Sequence, residues 1–350
     1  MLVLEKLFLG FNLIFVGLAI LGKIIYFHDP PLFGPLAYAL LFLLMMMLGM
    51  EIRLRVNRHT WLILTFALGI FLGKYWLLSL SLLIIIMLGF ERFVKYKKRF
   101  LFITAISLII VFSLIPILDG VLPIISPKER VEPIAISYVI AGYVNALAIS
   151  LNPSLVLLGV GVLISGISTF RTVAMLAFLS YFYSKFPKFR REEVIVGGMG
   201  LLLAFLVRSF AEMKISGKLL GMEVLLERPA FTYSVYEHLF QISMPWGTRL
   251  ILKNIVPGYE IAKIFGGTSR YTYSIFGQPV VDFGMFGILE GFLLGLAVRS
   301  VRKVKWAHVF MLTVLTICIE VGLDVPKLSA IFLLPYLSSI FLSQASKDTS

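Results

Sequence analysis

Charged side chains and cysteine are both scarce in this sequence. Only 15% of the 350 residues are charged, while 59% are hydrophobic. A soluble domain has about a quarter of its residues charged, so the composition predicts an integral membrane protein. Cys318 is the only cysteine, which excludes an internal disulfide and a metal site built from several cysteines.

Acidic residues are also few, because 19 Asp and Glu stand against 32 Lys and Arg, for a net charge of +13. In a soluble protein this excess would indicate nucleic-acid binding. In an apolar chain, basic residues more commonly hold cytoplasmic loops at the anionic leaflet of the membrane. We therefore expect membrane lipids as partners, and no nucleic acid.

Apolar runs of about the length that crosses a bilayer recur along the chain. They lie at residues 7–26, 31–50, 60–74, 75–90, 100–119, 133–150, 153–169, 171–184, 194–210, 283–299, 307–323 and 327–343. The first run lacks a small-residue cleavage signal and is predicted to stay as a span. The sequence thus predicts an all-α, polytopic membrane protein of about twelve transmembrane helices, forming a single transmembrane domain over residues 1–350.

Four basic clusters predict the orientation of these spans, because Lys and Arg concentrate in cytoplasmic loops. The clusters are Arg53, Arg55 and Arg58; Arg92, Lys95, Lys97, Lys98 and Arg99; Lys185, Lys188, Arg190 and Arg191; and Arg299, Arg302, Lys303 and Lys305. Successive clusters are separated by two, four and two of the apolar runs, and these are even numbers as a shared side requires. Both termini are then expected in the cytoplasm of a multi-pass cell-membrane protein.

One long stretch, residues 211–282, interrupts the apolar pattern and is predicted to be an outer loop between helices nine and ten. With the turn around Arg171, it gathers most of the polar residues expected on the outer face: Arg171, Arg208, Arg228, His238, Arg249, Arg270 and Asp282. Positive charge is disfavoured on that face, and an anionic ligand there would account for it. The alternatives stay open: arginines that extend to the headgroups, and a local ion pair of Arg228 with Glu227.

Three of these residues are the candidates for catalysis. Arg171 opens a helix behind Ser168 and Thr169, which are plausible N-cap residues, and an arginine at membrane depth usually marks a site. Arg270 lies in GGTSRYTYS, where glycines and hydroxyls suit close approach to a phosphate that a guanidinium grips with two bonds. His238 is the one histidine of the outer stretch, and it is a candidate general base.

Carboxylates within or beside the spans need partners, and the outer arginines are the candidates for Glu290, Glu320 and Asp324. Asn145 is expected to serve helix packing. The outer face carries no HExxH, paired-histidine or DxD pattern, so we predict neither a metal site nor a cofactor.

Three features resemble O-antigen polymerases and ligases. These are the helix opening SGISTFRTVAMLAF, the late outer loop with scattered arginines and a histidine, and the run SIFGQPVVDFGMFGILEGFLLG. The chain is similar to Wzy-type oligosaccharide repeat unit polymerases, mainly over residues 160–300.

The resemblance implies a metal-independent glycosyltransferase that polymerises oligosaccharide units outside the membrane, from polyprenyl-pyrophosphate-linked donor and acceptor. Arg171 and Arg270 would stabilise the leaving pyrophosphate, and His238 would take the acceptor proton. Arg208, Arg228, Arg249, Tyr271 and Asp282 would bind substrate, with Phe231, Trp246, Tyr271 and Tyr273 available to stack on sugars. A regulator of chain length is an open further partner, and polymerase and ligase are not distinguished.

Two other classes of function stay open. A transporter or flippase of an anionic lipid-linked glycan would use the same arginines to bind phosphate, although no inverted repeat with matched broken helices is evident. A membrane scaffold without catalysis would leave the outer arginines unexplained.

Overall fold

A computed structural model describes residues 2–54, 56–71, 97–216, 224–248, 251, 254, 256–267 and 270–345. Helices and turns make up the secondary structure of these ranges, with no strand among them. The all-helical prediction is therefore confirmed. The predicted span 75–90 and Arg249 lie outside the described residues.

The chain divides into two compact units, one formed by residues 1–94 and 225–350 and the other by residues 95–224. The first unit contains α1 (Val3–Gly22), which continues as a π-helical turn (Lys23–Phe27), then α2 (Phe33–Glu51) and α3 (Arg58–Phe71). The second contains α4 (Lys97–Leu118), two 3-10 turns (Pro127–Val131 and Pro133–Ala135), α5 (Ile136–Leu151), α6 (Leu155–Ser168), α7 (Arg171–Lys185) and α8 (Arg191–Ser216).

The first unit resumes with α9 (Val224–Ser243), whose first residue alone belongs to the second unit. It continues with α10 (Pro257–Ile264), α11 (Gly277–Phe283), a 3-10 turn (Gly284–Gly287), α12 (Ile288–Val301), α13 (Lys305–Val321) and α14 (Val325–Ala345). The stretch 211–282, predicted as a loop, is thus largely helical where the structure describes it.

Glycines let α2 and α12 approach closely in the first unit. A Cβ on Gly291 would lie 2.7 Å from the carbonyl oxygen of Phe42, and one on Gly49 would lie 2.9 Å from the amide nitrogen of Leu296. Gly291 and Gly295 form a GxxxG pattern, which membrane helices use for packing because small residues bring backbones together.

The two ends of the first unit differ in their charged groups. At one end, Arg302 forms an ion pair with the buried Glu5 and donates to the carbonyl of Met50 at 2.7 Å, while Arg299 donates to the carbonyl of Glu51 at 2.6 Å. This end holds the last basic cluster and lies next to Arg53 in the chain. The C-terminal ends of α1 and α13, and the N-terminal ends of α2 and α12, lie at the opposite end.

The second unit packs around α5, which contacts α4, α6 and α7. Asn145 of α5 donates to the carbonyl of Leu157 in α6 at 3.0 Å, and Ser150 lies 2.9 Å from the hydroxyl of Ser180 in α7. These interhelical hydrogen bonds confirm the packing role predicted for Asn145, and they satisfy polar groups where lipid offers no partner.

Six helical stretches of the described residues are long and apolar enough to cross a membrane: Val3–Phe27, Phe33–Glu51, Lys98–Leu118, Pro133–Leu151, Gly277–Val301 and Val325–Leu342. Leu155–Ser168 is apolar but shorter. The protein is therefore a multi-pass membrane protein, as predicted. The total of about twelve spans stays a prediction.

Candidate functional site

Helix α9 carries the candidate site on one face and is fixed in the first unit by the other. Tyr233, Tyr236 and Leu239 are fully buried on the inner face. Tyr236 donates its hydroxyl proton to the carbonyl of Pro35 at 2.7 Å, at the start of α2. Phe231 and His238 are seven residues apart and therefore lie on one face of the helix. Phe231 is half-buried and His238 is exposed, so this face points away from the interior of the unit.

Arg228 lies near the start of α9 and reaches towards two other parts of the first unit. Its Nη2 donates to the hydroxyl of Thr272 at 2.9 Å, and its Nε lies 3.7 Å from Oε1 of Glu320, near the end of α13. The expected pairing of Glu320 with an outer arginine is confirmed. The ion pair at 3.7 Å is with Glu320 on α13, and the nearby charge of Glu227 also acts on Arg228, since it raises the pKa of this guanidinium.

Arg270 brings a second guanidinium close to the first. Burial lowers the pKa of Arg228, and the positive charge of Arg270 lowers that pKa further. Arginine does not lose its proton in proteins, so this repulsion acts between two permanent charges. Arg270 is exposed, and it forms no ion pair with any residue that the structure describes. An anion between the two side chains would relieve the repulsion, and we call them the arginine pair.

A row of four rings leads away from the arginine pair. The guanidinium of Arg228 lies 5.7 Å from the ring centre of Phe231, which lies 5.5 Å from that of Tyr271. Tyr271 is 5.5 Å from Phe265, and Phe265 is 4.7 Å from the imidazole of His238. We call Phe231, Tyr271, Phe265 and His238 the ring ridge. The structure thus gathers four predicted site residues, namely Arg228, His238, Arg270 and Tyr271.

Asp282 binds the backbone at Ile251. Its carboxylate accepts hydrogen bonds from the amide of Ile251 and, at 2.9 Å, from Nε2 of Gln278. Nearby, the amide of Thr248 donates to the carbonyl of Val281 at 3.1 Å. Asp282 therefore holds the backbone at Ile251, and its predicted contact with substrate stays a prediction.

Three predicted contacts are wrong. Glu290 is buried and accepts a hydrogen bond from Nε2 of Gln278 at 3.2 Å, where an outer arginine was expected. Tyr273 is only 2% exposed and donates its hydroxyl to the carbonyl of Leu323, so its ring cannot stack on a sugar. Asp324 pairs with Lys327, three residues along the chain, in place of an arginine.

The remaining predicted arginines belong to the second unit. Arg171 opens α7, directly after a turn in which Thr169 has a left-handed φ of 56°. The N-cap is Phe170, whose amide donates to the hydroxyl of Ser168 at 3.3 Å, so the predicted capping by Ser168 or Thr169 is wrong. Arg208 lies within α8. Their roles at the site stay predictions.

Sequence reasoning missed one buried ion pair beside the candidate base. Lys23, at the start of the π-helical turn, pairs with Glu237, the residue before His238. A lone lysine in an apolar run was the available signal. The partner was not predictable, because the two residues are 214 positions apart.

A family model described as "Putative O-antigen polymerase" matches residues 30–332 of the chain. The chain belongs to the O-antigen polymerase family. The resemblance inferred from Arg171, the late loop and the glycine-aspartate run is confirmed. No curated protein and no solved structure matches the chain.

Membership in the O-antigen polymerase family places the protein in polysaccharide biosynthesis, as a membrane glycosyltransferase of the polymerising kind with lipid-linked oligosaccharides as substrates. The transporter alternative is not favoured. Among the described residues, no group of three or more His, Cys, Asp or Glu is placed to hold a metal ion.

Proposed function

We propose that this O-antigen polymerase joins oligosaccharide repeat units from polyprenyl-pyrophosphate-linked donors on the outer face of the membrane, without a metal ion. The observation that carries the proposal is the arginine pair at one end of the ring ridge, with His238 at the other. A phosphate requires positive charge, a glycan requires rings to stack on, and an acceptor hydroxyl requires a base. The arginine pair, the ring ridge and the imidazole of His238 are the groups that would meet these three requirements.

The arginine pair would act on the leaving group. In the transfer, the bond between the anomeric carbon of the donor and the pyrophosphate oxygen breaks, and the electron pair leaves with the pyrophosphate. The negative charge on that oxygen grows in the transition state. The two guanidinium groups would stabilise this charge more than they stabilise the ground state, which is the condition for raising the rate.

His238 would act on the acceptor. A hydroxyl of the acceptor sugar forms the new bond to the anomeric carbon, and its proton passes to the imidazole. The ring is exposed and held against Phe265, so a hydroxyl can approach it. Histidine suits the task because its ordinary pKa lies close to neutral pH.

Arg171 and Arg208 are proposed to add further positive charge at the donor pyrophosphate. The support for them is the resemblance of the helix opening at Arg171 and the predicted outer ends of both spans. Arg249 and Asp282 are proposed to contact the glycan or its pyrophosphate.

The first test is polymerisation by the purified protein. We expect incubation with lipid-linked oligosaccharide to give longer lipid-linked products, at an unchanged rate in the presence of EDTA, because the charge stabilisation comes from arginines. Loss of activity in EDTA that a divalent cation restores would contradict the metal-free mechanism. Movement of the substrate across a vesicle membrane, without longer products, would contradict the transferase.

A further inference from the structure

The buried pair Lys23–Glu237 joins two distant parts of the chain at the end of the first unit that carries the ring ridge. The side chain of Lys23 is 1% exposed and that of Glu237 is 5% exposed. Lys23 also contacts Asp29 at 2.8 Å, but the side chain of Asp29 is 60% exposed. The ammonium of Lys23 thus forms ion pairs with one buried carboxylate, of Glu237, and one exposed carboxylate, of Asp29.

Glu237 holds more than the ammonium. Its second oxygen accepts the amide proton of Leu32 at 2.9 Å, at the turn between α1 and α2. One turn of α9 beyond it, Phe240 makes an edge contact with Tyr38 of α2, with ring centres 5.8 Å apart. The C-terminal half of α9 is therefore fastened to α2 and to the turn that joins α1 to α2.

The N-terminal half of α9 is fastened elsewhere. Arg228 binds Thr272 and Glu320, and it lies ten residues before His238. At a rise of about 1.5 Å per residue, the two attachment points, Arg228 and Glu237, are roughly 14 Å apart along the helix. Loss of one attachment should therefore loosen one half of α9 and leave the other in place.

A buried ion pair rarely adds much stability over a packed apolar pair, because removing both charges from water is costly. Removal of one partner from such a pair is nevertheless costly, since it leaves a buried charge with less compensation. Lys23 begins a π-helical turn, and π-helical turns are frequent at functional sites. These features indicate that the pair fixes a position beyond stabilising the fold.

We infer that Lys23 and Glu237 are positioning residues that hold the C-terminal half of α9, and with it His238, in the orientation for proton transfer from the acceptor. The inference rests on the proposed function for His238. It concerns the base end of the ring ridge, and it leaves the grip of the arginine pair on the donor unchanged.

The test compares the two carboxylates that share the ammonium. Glu237→Gln should lower kcat by about a hundredfold, as misplacement of a reacting group by about 1 Å does. KM for the donor should stay within about threefold, because the arginine pair is not moved. Asp29→Asn is the matched control and should leave both constants near the wild type, because Lys23 keeps its buried partner Glu237 and the carboxylate that is lost is exposed.

Amide hydrogen exchange supplies a readout independent of catalysis. In Glu237→Gln, the amides of residues 234–243 should exchange faster by on the order of tenfold or more, while those of residues 224–230 and of the Asp29→Asn control should not change. Uniformly faster exchange along α9, or no change at all, would overturn the inference. So would local loosening with an unchanged kcat.

A double-mutant cycle keeps the test informative if Glu237→Gln accumulates poorly. If the two residues act as one pair, Lys23→Met combined with Glu237→Gln should lower kcat no further than either change alone, whereas a multiplied loss would overturn the pairing. Glu237→Asp keeps the charge and should give an intermediate kcat. The hydrogen-exchange result does not depend on the effect of His238→Ala on kcat. Failure of the base assignment and failure of the positioning role are therefore distinguishable.

Discussion

Arg228 shows which residue-level interactions a single sequence reveals. Its place in the outer stretch was predictable, because positive charge on that face is unusual. Its partner Glu320 was expected only as one of several carboxylates near outer arginines, and Thr272 was not expected. Tyr271 and Tyr273 were alike in the sequence, yet only Tyr273 is fully buried. Tertiary packing causes the difference in burial between the two tyrosines, and no local sequence pattern predicts that difference.

Arg270 is the residue whose charge we expect to matter most directly. Arg270→Lys keeps the charge but replaces a planar fork with a single ammonium, which cannot grip two phosphate oxygens. We expect a loss of roughly a hundredfold to a thousandfold in kcat, as for removal of one preorganised donor. Steady-state kinetics with lipid-linked donor measures it.

Lys263 provides the control for Arg270→Lys. It lies on α10 close to the ring ridge, is exposed, and pairs with Glu260 three residues before it at 2.9 Å. Lys263→Gln removes a positive charge in the same region and should change kcat by no more than about twofold, because such pairs are weak. If Arg270→Lys behaves like Lys263→Gln, then Arg270 is an interfacial anchor.

At the scale of elements, uninterrupted apolar runs located the helices well. The run 327–343 corresponds to α14 (Val325–Ala345), and 133–150 corresponds to Pro133–Leu151. The run 283–299 was less informative, because its helix begins earlier, in α11, and breaks at Gly284. Gly284 has φ of 56°, and the next amide, of Met285, bonds to the carbonyl of Pro245. Such a break depends on a segment that is distant in sequence.

Helix α9 was not predicted, although it organises the site. Its sequence contains Pro229 and several aromatic residues, which have weak helix propensity. The burial of Tyr233, Tyr236 and Leu239 against the first unit supplies the stabilisation that propensity does not. The sequence thus indicated which residues are polar and outward, and missed the helix that aligns them.

The contact of α2 with α12 yields a prediction about packing. A Cβ at Gly295 would overlap the carbonyl oxygen of Met46, and the backbone of α2 cannot yield as a flexible side chain can. Gly295→Ala should therefore destabilise the protein by about 1–3 kcal/mol, seen as a lower apparent Tm in detergent. Gly17→Ala is the control, since a Cβ there meets no atom within 4 Å. An unchanged Tm for Gly295→Ala would contradict the close packing of these helices.

For the whole molecule, composition and charge clusters predicted the class of protein and an orientation. The family match over residues 30–332 confirmed the class. The first unit adds a relation that the sequence could only suggest: Arg302 and Arg299 lie at the end of α2 that leads to Arg53, and α9 is fastened to the other end of α2. The last basic cluster, with Arg53 next to it, and the ring ridge are thus at opposite ends of the same helices.

This arrangement predicts a topology that labelling can measure. In a Cys318→Ala background, we expect an impermeant maleimide to react in intact cells with cysteine at Trp246, which is 73% exposed, and at Ile125, which is 69% exposed. Cysteine at Lys303 or Lys188, both exposed in basic clusters, should react only after permeabilisation, because Lys and Arg are retained in the cytoplasm.

Positions 246 and 125 test the first and second units separately. Labelling of 246 and 303 from one side would contradict an outer ring ridge, since the helices between them would no longer cross the membrane. Labelling of 246 but not 125 from outside would keep the arginine pair on the outer face and exclude Arg171 from that face. Arg171 lies at the same end of the second unit as residue 125, because the amide of Ile124 bonds to the carbonyl of Ile167.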